Sequence, residues 1–343
     1  MKRLVPTSLV LCAALLLPAS GAAAAKTPKA DAPKGPERAT VKIRIGHLRG
    51  GKAQIMSTVP VTGSVKPFVP GQRVEVTFYV NGSRIETQKV RVHGGTFRAR
   101  IRVEEAGRYA AGAHLPASKT LRGDTTVRKS WRVSFPSLHQ GQCGDVVVGF
   151  KKAMRKMGYI ANSGRCFGGK TARGVLAYRK VNGMARSYRA GKGLVKLAFA
   201  GRGAYRVRHP DAGEHVEVPL SKQVLVFAKG DRPFAVYPVS SGKSSTPTVT
   251  GHFHFIRQEP GYNSHGMYYS FYFYGGYAVH GYESVPDYPA SHGCIRIPMF
   301  ASQRLPRMVP QRMPVYVYGC QGETPANQIA GSPVATERVA GQE

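Results

Sequence analysis

Along most of the chain hydrophobic and polar residues alternate, and one stretch of longer period interrupts the alternation. Between about 40 and 135 short alternating runs follow one another: "RVEVTFYV" before Asn81-Gly82, "TQKVRV" before "HGG", then "TFRARIRV" and "SWRVSF". A period of two broken by Asn-Gly and Gly-Gly turns predicts antiparallel strands, and this many short strands in about a hundred residues predicts a β-sandwich over 40–135. From 138 to 190 the period lengthens. In "GDVVVGFKKAMRKMGY" Asp145 can cap a helix whose apolar face takes Val147, Phe150, Met154 and Met157, with Gly158 to end it. A second helix is expected from Thr171 through Val175, Tyr178 and Val181 to Gly183. Residues 191–212, rich in Gly and Arg, predict no element. Alternation returns over 213–320 in "EHVEVPLSKQVLVFAKGDRPFAVYPVSSG", "GHFHFIRQ", "MYYSFYFY", "YAVHG" and "MPVYVYG", where "KGD" at 229–231 should close a hairpin. The fold class expected is multidomain and mainly β: a sandwich, a small helical module and a second β-rich domain.

The two ends follow neither pattern. Lys2 and Arg3, an apolar run from Leu9 to Leu17 and a small-residue stretch before Lys26 have the order of parts of a secretory signal, assigned to 1–25. Its apolar run is short of the roughly 20 residues that span a bilayer, and no later segment is long or apolar enough to do so. Residues 26–39 read as a linker and 321–343 as a disordered tail. The mature chain is expected to be secreted, in the cell wall or periplasmic space. Its formal charge is +32, of which Lys2 and Arg3 would leave with the signal. Such an excess points either to anionic partners, for an exported protein wall polymers or lipid head groups rather than DNA, or to a solvated basic surface. No Lys/Arg block is interleaved with aromatics in the manner of a nucleic-acid site.

Export also bears on the cysteines. Cys143, Cys166, Cys294 and Cys320 remain after processing, and in an oxidising compartment cysteines pair unless chemistry requires a thiol. Cys143 and Cys166 bracket one short helical segment and form the natural bridge, worth roughly 3 kcal/mol in the chain-entropy view. Cys294 and Cys320 are left either paired with each other or as thiols.

His252, His254, His265, His280 and His292 gather in one part of the second β domain. A zinc site would need spacings such as His-x3-5-His, and His292-Gly-Cys294 is tighter, so no metal is expected. His252 and His254, two apart on one strand face, and His265 read as ordinary polar residues. Nucleophilic catalysis is the remaining use. A thiol titrates near 8.5, so an imidazole that takes its proton raises its reactivity at neutral pH. His280 ends an apolar run, while Cys294 lies in "ASHGCIRIP". Gly293 leaves room for backbone N–H groups to approach an oxyanion, and Arg296 could bind a carboxylate or hold the loop.

"HG" at 280–281 followed by "SHGCIR" at 291–296 resembles the signature of the L,D-transpeptidase catalytic domain of the YkuD type. "VEVPLSKQVLVFAKGDRPFAVYPVSSGK" is similar to that domain's opening strands, and "STPTVTGHFHF" to its Thr-Pro-Thr-Gly-x-Phe segment. Val249 and Thr250 intervene before Gly251, and Arg296 stands where some members have Asn. The resemblance implies Cys294 as nucleophile and His280 as base, with the Gly281 carbonyl orienting the imidazole, Ser291 and His292 shaping the site and Arg296 bracing it. His292 is nearer to Cys294 along the chain, so position in the fold decides which histidine serves. No cofactor is implied. The implied partner is a peptidoglycan stem peptide: the thiolate attacks the third residue's carbonyl, terminal D-alanine leaves, and the thioester passes to an amine of a neighbouring stem. Transfer to water, an L,D-carboxypeptidase activity, is not separable by sequence, and a wall-binding protein without catalysis is the third reading. Residues 40–135 also resemble the immunoglobulin-like domains of bacterial surface proteins, with a spacer role. On "GRCFGGKTARGVLAYRKVNG", 138–190 resembles the small helical peptidoglycan-binding domain.

Overall fold

The computed structural model describes residues 36–320. The signal at 1–25, most of the linker at 26–39 and the tail at 321–343 lie outside the described residues.

Asn81 and Gly82 both take positive φ, 48° and 91°, which lets a two-residue turn match the twist of the strands it joins, Arg73–Val80 and Ser83–Arg91. These belong to a sheet ordered Lys52–Gln54, Lys129–Ser134, Gly107–Leu115, Arg73–Val80, Ser83–Arg91, with Asp124–Thr125 added to Gly107–Leu115. A second sheet has Thr58–Lys66 between Thr40–Ile45 and Thr96–Arg102. Alternation sends Val74, Val76 and Phe78 inward from the first sheet and Val59, Val61, Phe97 and Ile101 from the second, and one apolar core holds them with Trp131.

Three helices follow: Asp145–Lys156, Gly169–Val181 and Lys192–Phe199. Asp145 does not cap the first. Gly144 stands at the N-cap without a side-chain bond, and the Asp145 carboxylate instead bridges Arg102 and Arg165 at 2.9 and 2.7 Å. The third helix forms where no element is expected from sequence. Its buried Leu194, Val195 and Ala198 make a stripe too brief to stand out between flanking Gly and Arg residues. Cys143 and Cys166 are joined by a disulfide, S–S 2.00 Å, which ties the approach to the first helix to the approach to the second.

The C-terminal unit is two sheets. One is ordered Arg232–Pro238, Val224–Lys229, Glu214–Pro219, Pro314–Tyr318, Gly251–His254; the other Arg257–Tyr262, Tyr268–Tyr274, Tyr277–Tyr282, Ile295–Pro298. Gly230 at φ 58° closes the "KGD" hairpin. Val224–Lys229 is buried on both faces. Leu225 and Phe227 enter the core between the two sheets, while Val224, Val226 and Ala228 pack with Val175 and Tyr178 of the second helix. Covering on both sides is why this strand is apolar at every position from 224 to 228 instead of alternating. The helices and the C-terminal sheet therefore share one core. Among the described residues no helix is long and apolar enough to cross a membrane.

Candidate active site

The site is built on the parallel pair Tyr277–Tyr282 and Ile295–Pro298. Their register sets Val279 opposite Ile295, His280 opposite Arg296 and Tyr282 opposite Pro298. Val279, Ile295 and Ile297 point into the core between the sheets. Side chains alternate along a strand, so Ala278, His280 and Tyr282 share the other face with Arg296. Cys294 stands one residue before that register begins, against the Gly276 and Ala278 backbone at the start of the His280 strand. Carried one residue back at ordinary strand spacing and rise, the register would set its Cα about 8 Å from that of His280.

Cys294 is a half-buried free thiol, so the alternative bridge to Cys320 is not formed. Its Sγ lies 3.5 Å from the Gly276 carbonyl oxygen. Burial raises the thiol's pKa, and the Ala278 backbone and the Arg296 charge oppose that rise. His280 is 2 % exposed. Its Nδ1 lies 3.0 Å from the Gly281 carbonyl. A carbonyl only accepts, so the proton is on Nδ1 and Nε2 keeps its lone pair for a base. Burial lowers the His280 pKa to about 4, with Arg296 adding to the effect. Burial thus works against charge on both the imidazole and the thiol.

The loop before Cys294 is held by several hydrogen bonds. Ser291 Oγ donates to the Cys294 carbonyl and accepts from the Gly293 amide at 3.1 Å. The Gly293 N–H is thereby occupied. Its φ of 121° and the Tyr277 ring, 2.8 Å from where a Cβ would sit, both exclude a side chain there. Thr248 Oγ1 donates to the Gly293 carbonyl at 2.7 Å and accepts from the Gly242 amide at 2.9 Å. The Ser241 carbonyl takes the amides of Ala290 and Ser291 at 2.9 and 3.0 Å, and Ser240 exchanges backbone bonds with Arg296. Arg296 itself lies over the Tyr282 ring, 4.1 Å from its centre, and reaches the Ala290 carbonyl at 3.4 Å. His292 turns its Nε2 to Lys243 Nζ at 3.3 Å.

Four supporting residues escaped the sequence reading. Thr248 lies in the quoted "STPTVTG" segment, and Ser240 and Ser241 end the quoted opening strands, so proximity to the motif was their only signal. Tyr277 had none. It touches Gly293, and its phenol pKa is raised by burial and then by Cys294. A buried ammonium also connects to the loop: Lys180 of the second helix donates to the Gln223 and Val239 carbonyls at 3.1 and 2.9 Å. The Gln223 side chain in turn holds both Oγ and N of Ser241. His252 and His254 lie away from the thiol: His252 stacks on Tyr316 at 4.3 Å between ring centres, with His254 beside it at 5.1 Å. His265 sits on an exposed turn at Asn263. Among the described residues no group of three or more His, Cys, Asp or Glu is placed to hold a metal ion.

Residues 213–317 match the family model described as YkuD, L,D-transpeptidase catalytic domain. Among solved structures, the L,D-transpeptidase of Xylanimonas cellulosilytica is 29% identical, with a TM-score of 0.50, over 53% of this chain and 98% of that one. An L,D-transpeptidase of Stackebrandtia nassauensis is 19% identical over 54% of this chain and 96% of its own, TM-score 0.34. One from Mycobacterium smegmatis is 11% identical over 82% and 100%, TM-score 0.28. At those values neither adds to what the Xylanimonas structure shows. No curated protein matches. The thiol, the imidazole and the strand pair that aligns them all fall within the matched stretch, and residues 213–317 are a YkuD-type L,D-transpeptidase catalytic domain.

Proposed function

We propose that the chain is an exported L,D-transpeptidase that forms 3-to-3 peptide cross-links in peptidoglycan through a thioester on Cys294. The observation that supports this most is the parallel register that brings the strand directly after Cys294 against the His280 strand, with the imidazole proton fixed on Nδ1 by Gly281 and Nε2 left as base. As Sγ attacks the third-residue carbonyl of a tetrapeptide stem, its proton passes to His280 Nε2. The tetrahedral intermediate collapses, the C–N bond to D-alanine breaks, and the departing amine takes that proton. The amine of a second stem then attacks the thioester and gives its proton to His280, and the expelled sulfur takes it back. A neutral dyad needs no stored ion pair, so the proton moves only when a carbonyl is in place.

The remaining parts fit a wall enzyme. The two-sheet unit at 40–135 acts as an immunoglobulin-like spacer and the helices of 138–190 as a peptidoglycan-binding module. The positive charge aids retention on anionic wall polymers. The test is product analysis with a disaccharide tetrapeptide. A cross-linked dimer lacking one D-alanine, absent with Cys294→Ala, is the expected result. Tripeptide alone would make the enzyme a carboxypeptidase, and no product from a folded chain would leave a wall-binding protein.

A further inference from the structure

Beyond Tyr282 the His280 strand runs into a cavity of about 450 Å³ that the chemistry above does not use. Tyr282, Pro298 and Phe300 of the catalytic domain line one side, and Lys170 and Arg173 of the helix Gly169–Val181 line the other. Those two cations are three residues apart, hence on one face of their helix.

Register places the cavity relative to the thiol. Arg296 and Pro298 share one face of their strand, which begins one residue after Cys294, and His280 and Tyr282 share the same face of the partner, with Tyr282 opposite Pro298. Two residues of strand rise about 6.6 Å, so the Tyr282–Pro298 row lies one step past His280 and two steps, about 13 Å, from Cys294. An extended peptide gains about 3.3 Å per residue. In a stem acylated at its third residue and laid along these strands, the third and second residues span about 7 Å of extended chain, and a long acidic side chain on the second, together with the reach of the Cys294 side chain, brings its carboxylate to the cavity.

The charges on the rim define what would be held there. Lys170 Nζ lies over the Phe300 ring at 5.1 Å. Arg173 is positioned by its bond to the Val285 carbonyl at 2.7 Å and by the Tyr188 ring at 5.4 Å. Among the described residues neither cation has a carboxylate within ion-pair distance. Glu283 is the single acid on the lining, so the rim keeps a net positive charge. An apolar floor with two carboxylate-free cations beside it suits a peptide segment that carries a carboxylate.

We infer that this cavity is a subsite for the retained part of the donor peptide, in which Lys170 and Arg173 bind a free carboxylate upstream of the acylated carbonyl. The inference rests on the function proposed above. It makes the helical segment a component of the substrate site, since the catalytic domain's own residues supply only the floor.

The test measures binding apart from turnover. The full chain with Cys294→Ala is titrated with a fluorescein-labelled stem tetrapeptide whose second residue has a free carboxylate, and with the same peptide amidated at that carboxylate. Lys170→Glu in that background should weaken the carboxylate peptide about tenfold, Lys170→Arg should preserve its binding, and amidation should weaken binding to the parent but not to Lys170→Glu. Iodoacetamide labelling of Cys294 in Lys170→Glu alone checks that the fold and thiol are intact. If wild type releases D-alanine yet Lys170→Glu binds both peptides as the parent does, the subsite is overturned and the function stands. If the parent binds no tetrapeptide and wild type releases no D-alanine, the functional reading fails and takes the subsite with it.

Discussion

Gly281 follows the proposed base, and its carbonyl holds the base's proton, so a methyl group at this position probes the geometry of the dyad. A Cβ built there lies 2.9 Å from Ser302 Cβ and 3.1 Å from the Tyr268 carbonyl oxygen, and nearer still to Ser302 Oγ. Ser302 is fully buried and its hydroxyl is bonded to the Met299 carbonyl, so it cannot swing clear. Restoring an ordinary contact of about 3.5 Å displaces the strand or the Met299–Ser302 turn by on the order of 1 Å. Overpacking of that kind costs about 1–3 kcal/mol, and a 1 Å misplacement of a reacting group can cost about a hundredfold in rate. Gly281→Ala is therefore expected to lower Tm by several degrees and to cut turnover by about two orders of magnitude. Ser302→Gly removes both of the closest atoms and leaves only the 3.1 Å approach to Tyr268, so Gly281→Ala with Ser302→Gly should regain most of the lost rate. Differential scanning fluorimetry and D-alanine release, on both single variants and the double, decide the matter. Full activity in Gly281→Ala, or no recovery in the double variant, would refute the steric reasoning.

Three further outcomes follow from the site. With His280 neutral down to about pH 4 and the Cys294 thiol pushed up by burial, kcat/KM should lose activity on the acid side only as pH falls toward 4; in a Cys320→Ala background iodoacetamide labelling of Cys294 should accelerate only on the alkaline side, and a labelling limb below pH 7 would mean a preformed ion pair instead. Thr248→Val keeps the shape but removes the bonds to the Gly293 carbonyl and the Gly242 amide, so a loss of about 1–3 kcal/mol in chemical denaturation, with slower acylation, is expected, and unchanged stability would contradict it. Burial lowers the Lys180 pKa to about 7 from 10.5, so between those values the unfolded chain binds more protons than the folded one and stability should rise with pH; Tm should climb between pH 7 and 9 more in wild type than in Lys180→Met, and equal slopes would discard that assignment.

Local chemistry explains which features were legible in the sequence. Asn81-Gly82 announced a hairpin because few residues other than Asn and Gly accept positive φ at two successive positions, and the "KGD" turn was readable because Gly230 accepts it at one. His280 and Cys294 were readable because a dense motif names them, yet their alignment comes from a parallel register that only the fold supplies. The Lys192–Phe199 helix was hidden by its length and its Gly-rich flanks. Asp145 looked like a cap, but Arg102, 43 residues away, claims its carboxylate. The Lys180–Gln223–Ser241 connection spans separations of 43 and 18 residues, beyond any periodic signal. The shared core of helices and sheet had one trace, the unbroken apolar run from Val224 to Ala228.

Intact-protein mass spectrometry of the purified chain mixed with a disaccharide tetrapeptide tests whether Cys294 carries the acyl group. A transient mass increase equal to the disaccharide tripeptide acyl group, mapped to Cys294 and absent from Cys294→Ala, is expected. A chain that is folded, with Cys294 open to iodoacetamide, and that forms no such adduct while other thiol acylating agents do react, would contradict it.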